Sequence, residues 1–219
     1  MKKRLLSLLT VAVLASPLSA SAGTMDNVGV AVNYGLISGA ALEVTYPIND
    51  VLQVRGALSS GMGLSETSND TDVVYNVEAD GSINRLSLDY HPFESSFFVS
   101  GGYAFNDFKL KTNGVEVGAV VVGNTTINGT VAINGQIDWN SAPMLSLGWG
   151  HSPAQGWGAL FEVGAIFTGA PNTALTGTLN GANDAALNAA LADEEAKLKA
   201  DIGDFDFLPI LQAGVTYRF

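Results

Sequence analysis

From Phe207 to Phe219 every second residue is apolar or small: Phe207, Pro209, Leu211, Ala213, Val215, Tyr217 and Phe219. The residues between them include Gln212, Gly214, Thr216 and Arg218. Successive side chains on a strand point to opposite faces, so this period of two predicts a strand with one greasy and one polar face. Chain ends are usually loose and polar. A strand that keeps an aromatic alternation to Phe219 is therefore expected to be held in a sheet.

The pattern recurs along the chain. Val28 to Leu36, Leu42 to Tyr46, Leu52 to Ser59, Arg85 to Tyr90, Phe97 to Phe105, Leu145 to Trp149 and Trp157 to Phe167 each alternate in the same way. With the last segment they make eight strands, each near the ten or so residues that a tilted membrane-spanning strand needs. The links alternate in length. Residues 47–50, 91–96 and 150–156 are short turns, whereas 62–82, 106–138 and 169–204 are long; the link near Ile37-Ser38-Gly39 is a short exception. Short turns on one side and long loops on the other is the arrangement of an up-and-down barrel in an outer membrane.

Aromatic residues mark both ends of the strands. Tyr46, Tyr90, Phe97, Trp149, Trp157 and Tyr217 flank the short turns on the apolar phase; Tyr34, Phe105, Trp139, Phe167 and Phe207 lie near the other ends. Ten residues, the spacing of Trp157 and Phe167, cover about 33 Å of strand. At a tilt near 40° that projects to roughly 25 Å, the height of a lipid-facing band between two aromatic girdles. A soluble β-sandwich explains the alternation but neither the paired girdles nor Phe219.

The N-terminus and the composition point the same way. Met1-Lys2-Lys3-Arg4 is basic, residues 5–14 are apolar and Ala20-Ser21-Ala22 is a small-x-small motif. This predicts a signal peptide over 1–22, cleaved before Gly23, and one barrel domain over 23–219. Loss of Lys2, Lys3 and Arg4 takes the net charge from −11 to −14, which disfavours nucleic acid as a partner. There is no Cys, so export does not imply a disulfide scaffold. Charged residues are only 14%, low for a fully wetted surface.

Three segments carry a family likeness: Leu86-Ser87-Leu88-Asp89-Tyr90-His91-Pro92-Phe93, Ser100-Gly101-Gly102-Tyr103-Ala104-Phe105 and Gly214-Val215-Thr216-Tyr217-Arg218-Phe219. Through them the mature chain resembles the small eight-stranded bacterial outer-membrane barrels, the OmpA transmembrane-domain and OmpW group. The resemblance implies an all-β, antiparallel, eight-stranded transmembrane barrel with periplasmic turns and extracellular loops. It further implies that Val215, Tyr217 and Phe219 form the signal read by the barrel assembly machinery, and that outer-membrane lipid and lipopolysaccharide surround the wall.

The long links have character of their own. Residues 115–139 alternate again and contain Asn128-Gly129 and Asn134-Gly135, a dipeptide that favours hairpin turns. Either the neighbouring strands continue beyond the membrane, or a small extra hairpin forms. Residues 184–202 predict a helix, with Asn183 or Asp184 as cap, Gly203 as stop, and Leu187, Leu191, Leu198 and Ile202 on one face interrupted by Glu194. It is expected to rest on the barrel rim; the alternative is a lid or lipid-contacting element. Asp193–Lys197 and Glu195–Lys199 have the spacing of helical ion pairs. Asn69, Asn124 and Asn128 open Asn-x-Thr triplets that are expected to be coincidental. Residues 62–82 carry Glu66, Asp70, Asp72, Glu78 and Asp80, which suit diffuse divalent cations bridging to lipopolysaccharide but do not complete a calcium loop.

No constellation for catalysis stands out. The only histidines, His91 and His151, both fall at the short-turn end, no Ser sits in a Gly-x-Ser-x-Gly elbow, and neither a metal site nor a cofactor is indicated. The chain is expected not to be an enzyme. On the inward phase, Arg55, Arg85, Glu162 and Gln212 each lie five residues from a turn-flanking residue, and Glu43 lies three from Tyr46. Buried charges in a narrow barrel must be paired, because desolvation otherwise costs several kcal/mol each. Glu43, Arg55, Arg85 and Glu162 are therefore expected to form an ionic network that plugs the lumen. Gly164, on the same phase, is expected to accept a small side chain. The expected role is structural or interactive, in envelope integrity, adhesion or environmental contact; the alternative is a narrow channel or carrier for small or hydrophobic solutes.

Overall fold

The computed structural model describes residues 27–68, 74–151 and 154–219. The signal-peptide segment 1–22, the cleavage point before Gly23, and the acidic stretch Asn69-Asp70-Thr71-Asp72 lie outside the described residues. The strands are β1 Gly29–Gly35, β2 Gly39–Pro47, β3 Leu52–Ser59, β4 Leu64–Ser68, β5 Val74–Asp80, β6 Ile83–Tyr90, β7 Phe97–Asn106, β8 Lys109–Val122, β9 Thr125–Asp138, β10 Ala142–Trp149, β11 Gly156–Ile166, β12 Asn172–Leu179 and β13 Leu208–Arg218. Among the described residues there is one helix, α1 Ala185–Asp201, between β12 and β13.

Eight of these strands close a barrel in the order β1-β13-β11-β10-β7-β6-β3-β2, with every neighbouring pair antiparallel. They are the eight strands read from the alternation. Closure removes the exposed edges that an open sheet would present. The seam joins β1 to β13 in the register Val30↔Tyr217 and Val32↔Val215. Beyond β13, Phe219 exchanges backbone hydrogen bonds with Val28 and Asn27, at 3.1 and 3.2 Å.

Burial follows the strand phase. The apolar phase faces outward: Val32, Val44, Leu88, Val99, Leu147, Val163, Leu211 and Val215 are all exposed. The polar phase faces inward, so that Glu43, Arg55, Ser87, Asp89, Ser100, Glu162 and Gln212 are buried. This inverts the usual soluble pattern and fits a wall bathed in an apolar solvent.

The long links are not loops. β4, β5, β8, β9 and β12 form a second sheet in the order β12-β9-β8-β5-β4. Each is joined by a few residues to a barrel strand, and the order repeats that of β11-β10-β7-β6-β3. One side of the barrel wall thus extends into a five-stranded sheet, while the side built from β13, β1 and β2 ends at the short link near Ile37. The 62–82 loop is corrected to strands β4 and β5, which pair with each other. Over 106–138 the neighbouring strands do continue, as the β8–β9 hairpin. That hairpin turns at Gly123-Asn124, where Gly123 has a φ of 60°. Asn128-Gly129 and Asn134-Gly135 lie within β9, paired with Ala119-Gly118 and Asn113-Thr112. Equal fourteen-residue arms place the turn at the midpoint of the segment, and the ladder outweighs the local Asn-Gly preference.

Helix α1 is capped by Asp184, whose carboxylate accepts from the backbone N–H of Ala186 and Leu187. It packs on the second sheet rather than on the barrel rim. Leu187, Ala190 and Leu191 bury against Val120, Val122, Ile127 and Val131. Leu198 and Ile202 are only half-buried. Of the expected ion pairs, Lys197 bonds Glu194 instead, three residues back, which raises the lysine pKa, and Glu195 accepts from the backbone N–H of Leu175.

Gly164 departs from expectation as well. A Cβ there would stand 2.3 Å from the Leu145 carbonyl oxygen and 2.5 Å from Ser146 Cβ. The wall strands approach too closely at this point to admit even a small side chain.

Candidate functional site

The lumen is filled in three layers. The middle layer centres on Arg55, which is 2% exposed. It rises from β3 and its guanidinium reaches three carboxylates. Nη1 lies 2.7 Å from Glu162 Oε2 and 3.2 Å from Glu43 Oε2; Nη2 lies 3.1 Å from Glu162 Oε1; Nε lies 3.0 Å from Asp89 Oδ2. Nη2 also donates to Asp89 Oδ1 at 3.0 Å and to Ser100 Oγ at 3.2 Å. Arg85, from β6, places Nη2 2.7 Å from Glu43 Oε1 and Nη1 3.5 Å from Glu162 Oε2. Gln212, from β13, accepts from Arg85 Nη2 at 2.7 Å and donates to Glu43 at 3.0 Å and to Glu162 at 2.6 Å. Ser146 Oγ also donates to Glu162.

The structure thus brings Glu43, Arg55, Arg85, Glu162 and Gln212 together. It adds Asp89, Ser100 and Ser146, which the alternation alone does not single out. Their signal was the strand phase itself: Asp89 shares the inward phase with Arg85 and Ser87 on β6. Both glutamates are fully buried. Two unshielded carboxylates at this depth would repel each other, and the two guanidiniums between them make the layer cohere.

The layer at the turn end is aromatic and imidazole-rich. Phe98, fully buried, packs under Arg55, whose Cζ is 5.1 Å from the ring centroid. His91 and His151 flank Phe98 with centroids 5.9 and 6.0 Å away. The phenyl ring has room because position 148 is glycine: a Cβ there would lie 2.5 Å from Phe98 Cζ. Gln53 orders this layer. Its amide N–H₂ donates to His91 Nε2 at 2.8 Å and to the His151 carbonyl at 3.2 Å, and its carbonyl accepts from Arg218 Nη2. With Nε2 accepting, His91 Nδ1 donates to the Ser95 carbonyl at 2.7 Å, which defines a neutral ring. Burial lowers the His91 pKa from its ordinary value. His151 turns inward from its turn, and its Nε2 lies 2.8 Å from Glu43 Oε2. Both histidines therefore serve the barrel interior.

The layer at the sheet end is apolar. Ile83, Ala104, Phe108, Ala142, Met144, Ile166, Leu208 and Ile210 form one buried cluster, with Ile37, Met62, Leu110 and Trp139 packed on it. Trp139 stacks on Phe108 at 5.8 Å and donates to the Phe205 carbonyl, so it belongs to this cluster rather than to an outward girdle. A narrow barrel whose lumen is polar in the middle and dry at one mouth is filled by its own side chains.

On the outer surface Tyr46, Tyr90, Trp149 and Trp157 are exposed, Trp157 by 80%, and Phe97 and Tyr217 are half-buried against neighbours. Tyr217 packs edge-on to Trp157 and Phe219, both at 5.0 Å. Val215 faces outward on the same strand. Among the described residues no group of three or more acidic, His or Cys side chains converges as a metal site.

Solved structures share this architecture. The chain is similar to CarO2 of Acinetobacter baumannii, with a TM-score of 0.60 at 20% identity over 90% of this chain and 100% of that one. It is equally similar to CarO of the same organism, with a TM-score of 0.60 at 21% identity and the same coverage. The fold is that of a small eight-stranded outer-membrane barrel. No family model matches the chain. No curated protein matches its sequence.

Proposed function

We propose that this chain is a non-enzymatic outer-membrane barrel with a structural or surface-interaction role, in envelope integrity, adhesion or environmental contact, and that its lumen is closed to bulk solute. The observation that carries this reading is the stacked filling of the lumen. An apolar cluster occupies one mouth, a guanidinium–carboxylate layer the middle, and a Phe98–histidine layer the other end. The exposed apolar wall supports lipid and lipopolysaccharide as its surroundings. In that orientation the short turns are periplasmic, reached after export through a cleaved signal peptide and insertion by the barrel assembly machinery. The five-stranded sheet and α1 then stand outside the cell as a folded surface for contact. Acidic side chains such as Glu66, Glu78 and Asp80 offer diffuse binding to divalent cations there.

Deletion of the gene tests the role. Greater sensitivity to detergent and chelator, with uptake of small solutes unchanged, supports a structural function. Slower solute uptake with an unaltered envelope contradicts it and favours a channel or carrier.

A further inference from the structure

The second sheet, unlike the barrel, has two edge strands, β12 and β4, and among the described residues no strand pairs with the outer side of either. An open edge is a template for another chain unless something blocks it. The β12 edge is blocked. Glu195 of α1 accepts from the backbone N–H of Leu175 at 3.1 Å, taking a donor that a further strand would use. Ala182 also folds back on Leu179 through two backbone bonds of 2.9 Å. The β4 edge has no such guard. Leu64–Ser68 contains neither proline nor lysine, and no wall strand stands beside it because β1 and β2 end at the short link near Ile37.

The side chains beside this edge say what fits it. Leu64 and Glu66 share one face of β4 and pair with Ala79 and Val77 of β5. Val77 pairs in turn with Thr112 of β8, on the phase of Val120 and Val122, so this is the face on which α1 packs. The helix covers that face along β12 and leaves Leu64, Glu66 and Val77 exposed. Residues 62–82 carry Glu66, Asp70, Asp72, Glu78 and Asp80 and no Lys or Arg. A second copy is a poor occupant: antiparallel pairing centred on the strand sets Glu66 opposite Glu66, and like charges directly opposite are unfavourable. A strand with a basic residue opposite Glu66, and an apolar one two positions away beside Leu64, matches both the charge and the apolar surface.

We propose that the open edge of β4 captures an extended cationic peptide segment by strand addition, with an apolar-x-basic pattern on the side facing Leu64 and Glu66. The segment makes backbone hydrogen bonds with β4, which give affinity, while Glu66 and the Leu64–Val77 surface select the alternate side chains. This names the partner chemistry for the reading of the second sheet as a contact surface outside the cell, and rests on that reading.

The test uses the full barrel refolded in zwitterionic detergent and a fluorescent heptapeptide with Val at its first and fifth positions, Lys at its third and seventh, and Thr between. Anisotropy should show saturable binding, and amide exchange of residues 64–68 should slow when the peptide is bound. The same peptide methylated on every backbone nitrogen keeps its charge but cannot pair, and should not bind. Glu66→Lys should weaken binding about tenfold, since an opposite-charge pair is replaced by a like-charge one. Changing both Lys of the peptide to Glu should restore binding to Glu66→Lys and abolish it on the wild type. The proposal is overturned by absence of saturable binding, by equal binding of the methylated peptide, by equal affinity in Glu66→Lys, or by a wild-type dimer that Glu66→Pro dissolves, which gives the edge to a second copy. Binding in detergent is read independently of the envelope phenotype and of conductance, so its failure leaves the structural role standing.

Discussion

Arg55 and Glu162 stand 107 residues apart in sequence and meet across the lumen in a two-pronged ion pair, Nη1–Oε2 at 2.7 Å and Nη2–Oε1 at 3.1 Å. The pair links β3 to β11, strands that are not neighbours in the sheet. It ties opposite walls together in addition to the hydrogen-bonded ladder. Removing one partner leaves the other charge buried. Arg55→Ala should therefore lower barrel stability by about 3–5 kcal/mol. Urea unfolding followed by heat-modifiable mobility measures it; a change below about 1 kcal/mol means that water replaces the guanidinium at little cost.

The wall phase predicts a sharp contrast at one position. Val163 faces outward in the middle of β11. Val163→Arg should cost about 2–4 kcal/mol in a bilayer, whereas Val163→Leu should be nearly neutral. Refolding midpoints in lipid vesicles give the ranking, and a tolerated arginine places this face away from lipid.

His91 gives a pH dependence with a defined sign. Its folded pKa is lowered from 6.5 by burial. The unfolded chain therefore binds more protons than the folded one between the two values, and stability rises with pH through that window. Unfolding midpoints should fall as pH is taken below about 6.5, the ordinary histidine value. In His91→Gln the dependence should flatten. An unaltered slope in the variant assigns the effect to another group.

Helix α1 is anchored by Leu187, fully buried among Val120, Val122, Ile127 and Val131. Leu187→Ala should cost about 2–5 kcal/mol, and the loss should be local because this core is separate from the barrel clusters. Limited proteolysis should cut residues 180–204 faster while the barrel keeps its folded mobility. Loss of both together means that the sheet and barrel unfold as one unit.

The barrel was legible in the sequence because lipid and lumen demand opposite side chains, and a period of two records that demand residue by residue. Arg55, Arg85, Glu43 and Glu162 stood out as charges on the inward phase near one height. Asp89 shares that phase, but one carboxylate alternating with Leu88 and Tyr90 does not stand out from an ordinary polar strand face. His151 was less visible, since a turn residue with a φ of 47° has no strand phase to place it. The second sheet was hidden for a different reason. Both its faces are wetted over much of their area, so Thr, Asn and Gly alternate with Val and mimic a polar loop. Asn128-Gly129 then drew the turn away from Gly123-Asn124. The apolar mouth was also missed, because Ile166, Leu208 and Ile210 on the inward phase blur the alternation where the lumen becomes dry.

Seam closure depends on the last strand. Deletion of Phe219 removes its backbone bonds to Val28 and Asn27 and its contact with Tyr217. Folded protein in outer-membrane fractions should fall severalfold, as read by heat-modifiable mobility. Wild-type amounts of folded protein contradict a role for Phe219 in closure and assembly.

Single-channel recording of the refolded wild-type barrel in planar lipid bilayers tests the closed lumen most directly. With Arg55, Arg85, Glu43 and Glu162 interlocked beneath the apolar mouth, little or no steady conductance is expected, and Arg85→Ala should leak more than the wild type. Large, stable openings in the wild type contradict a plugged lumen and make the chain a channel.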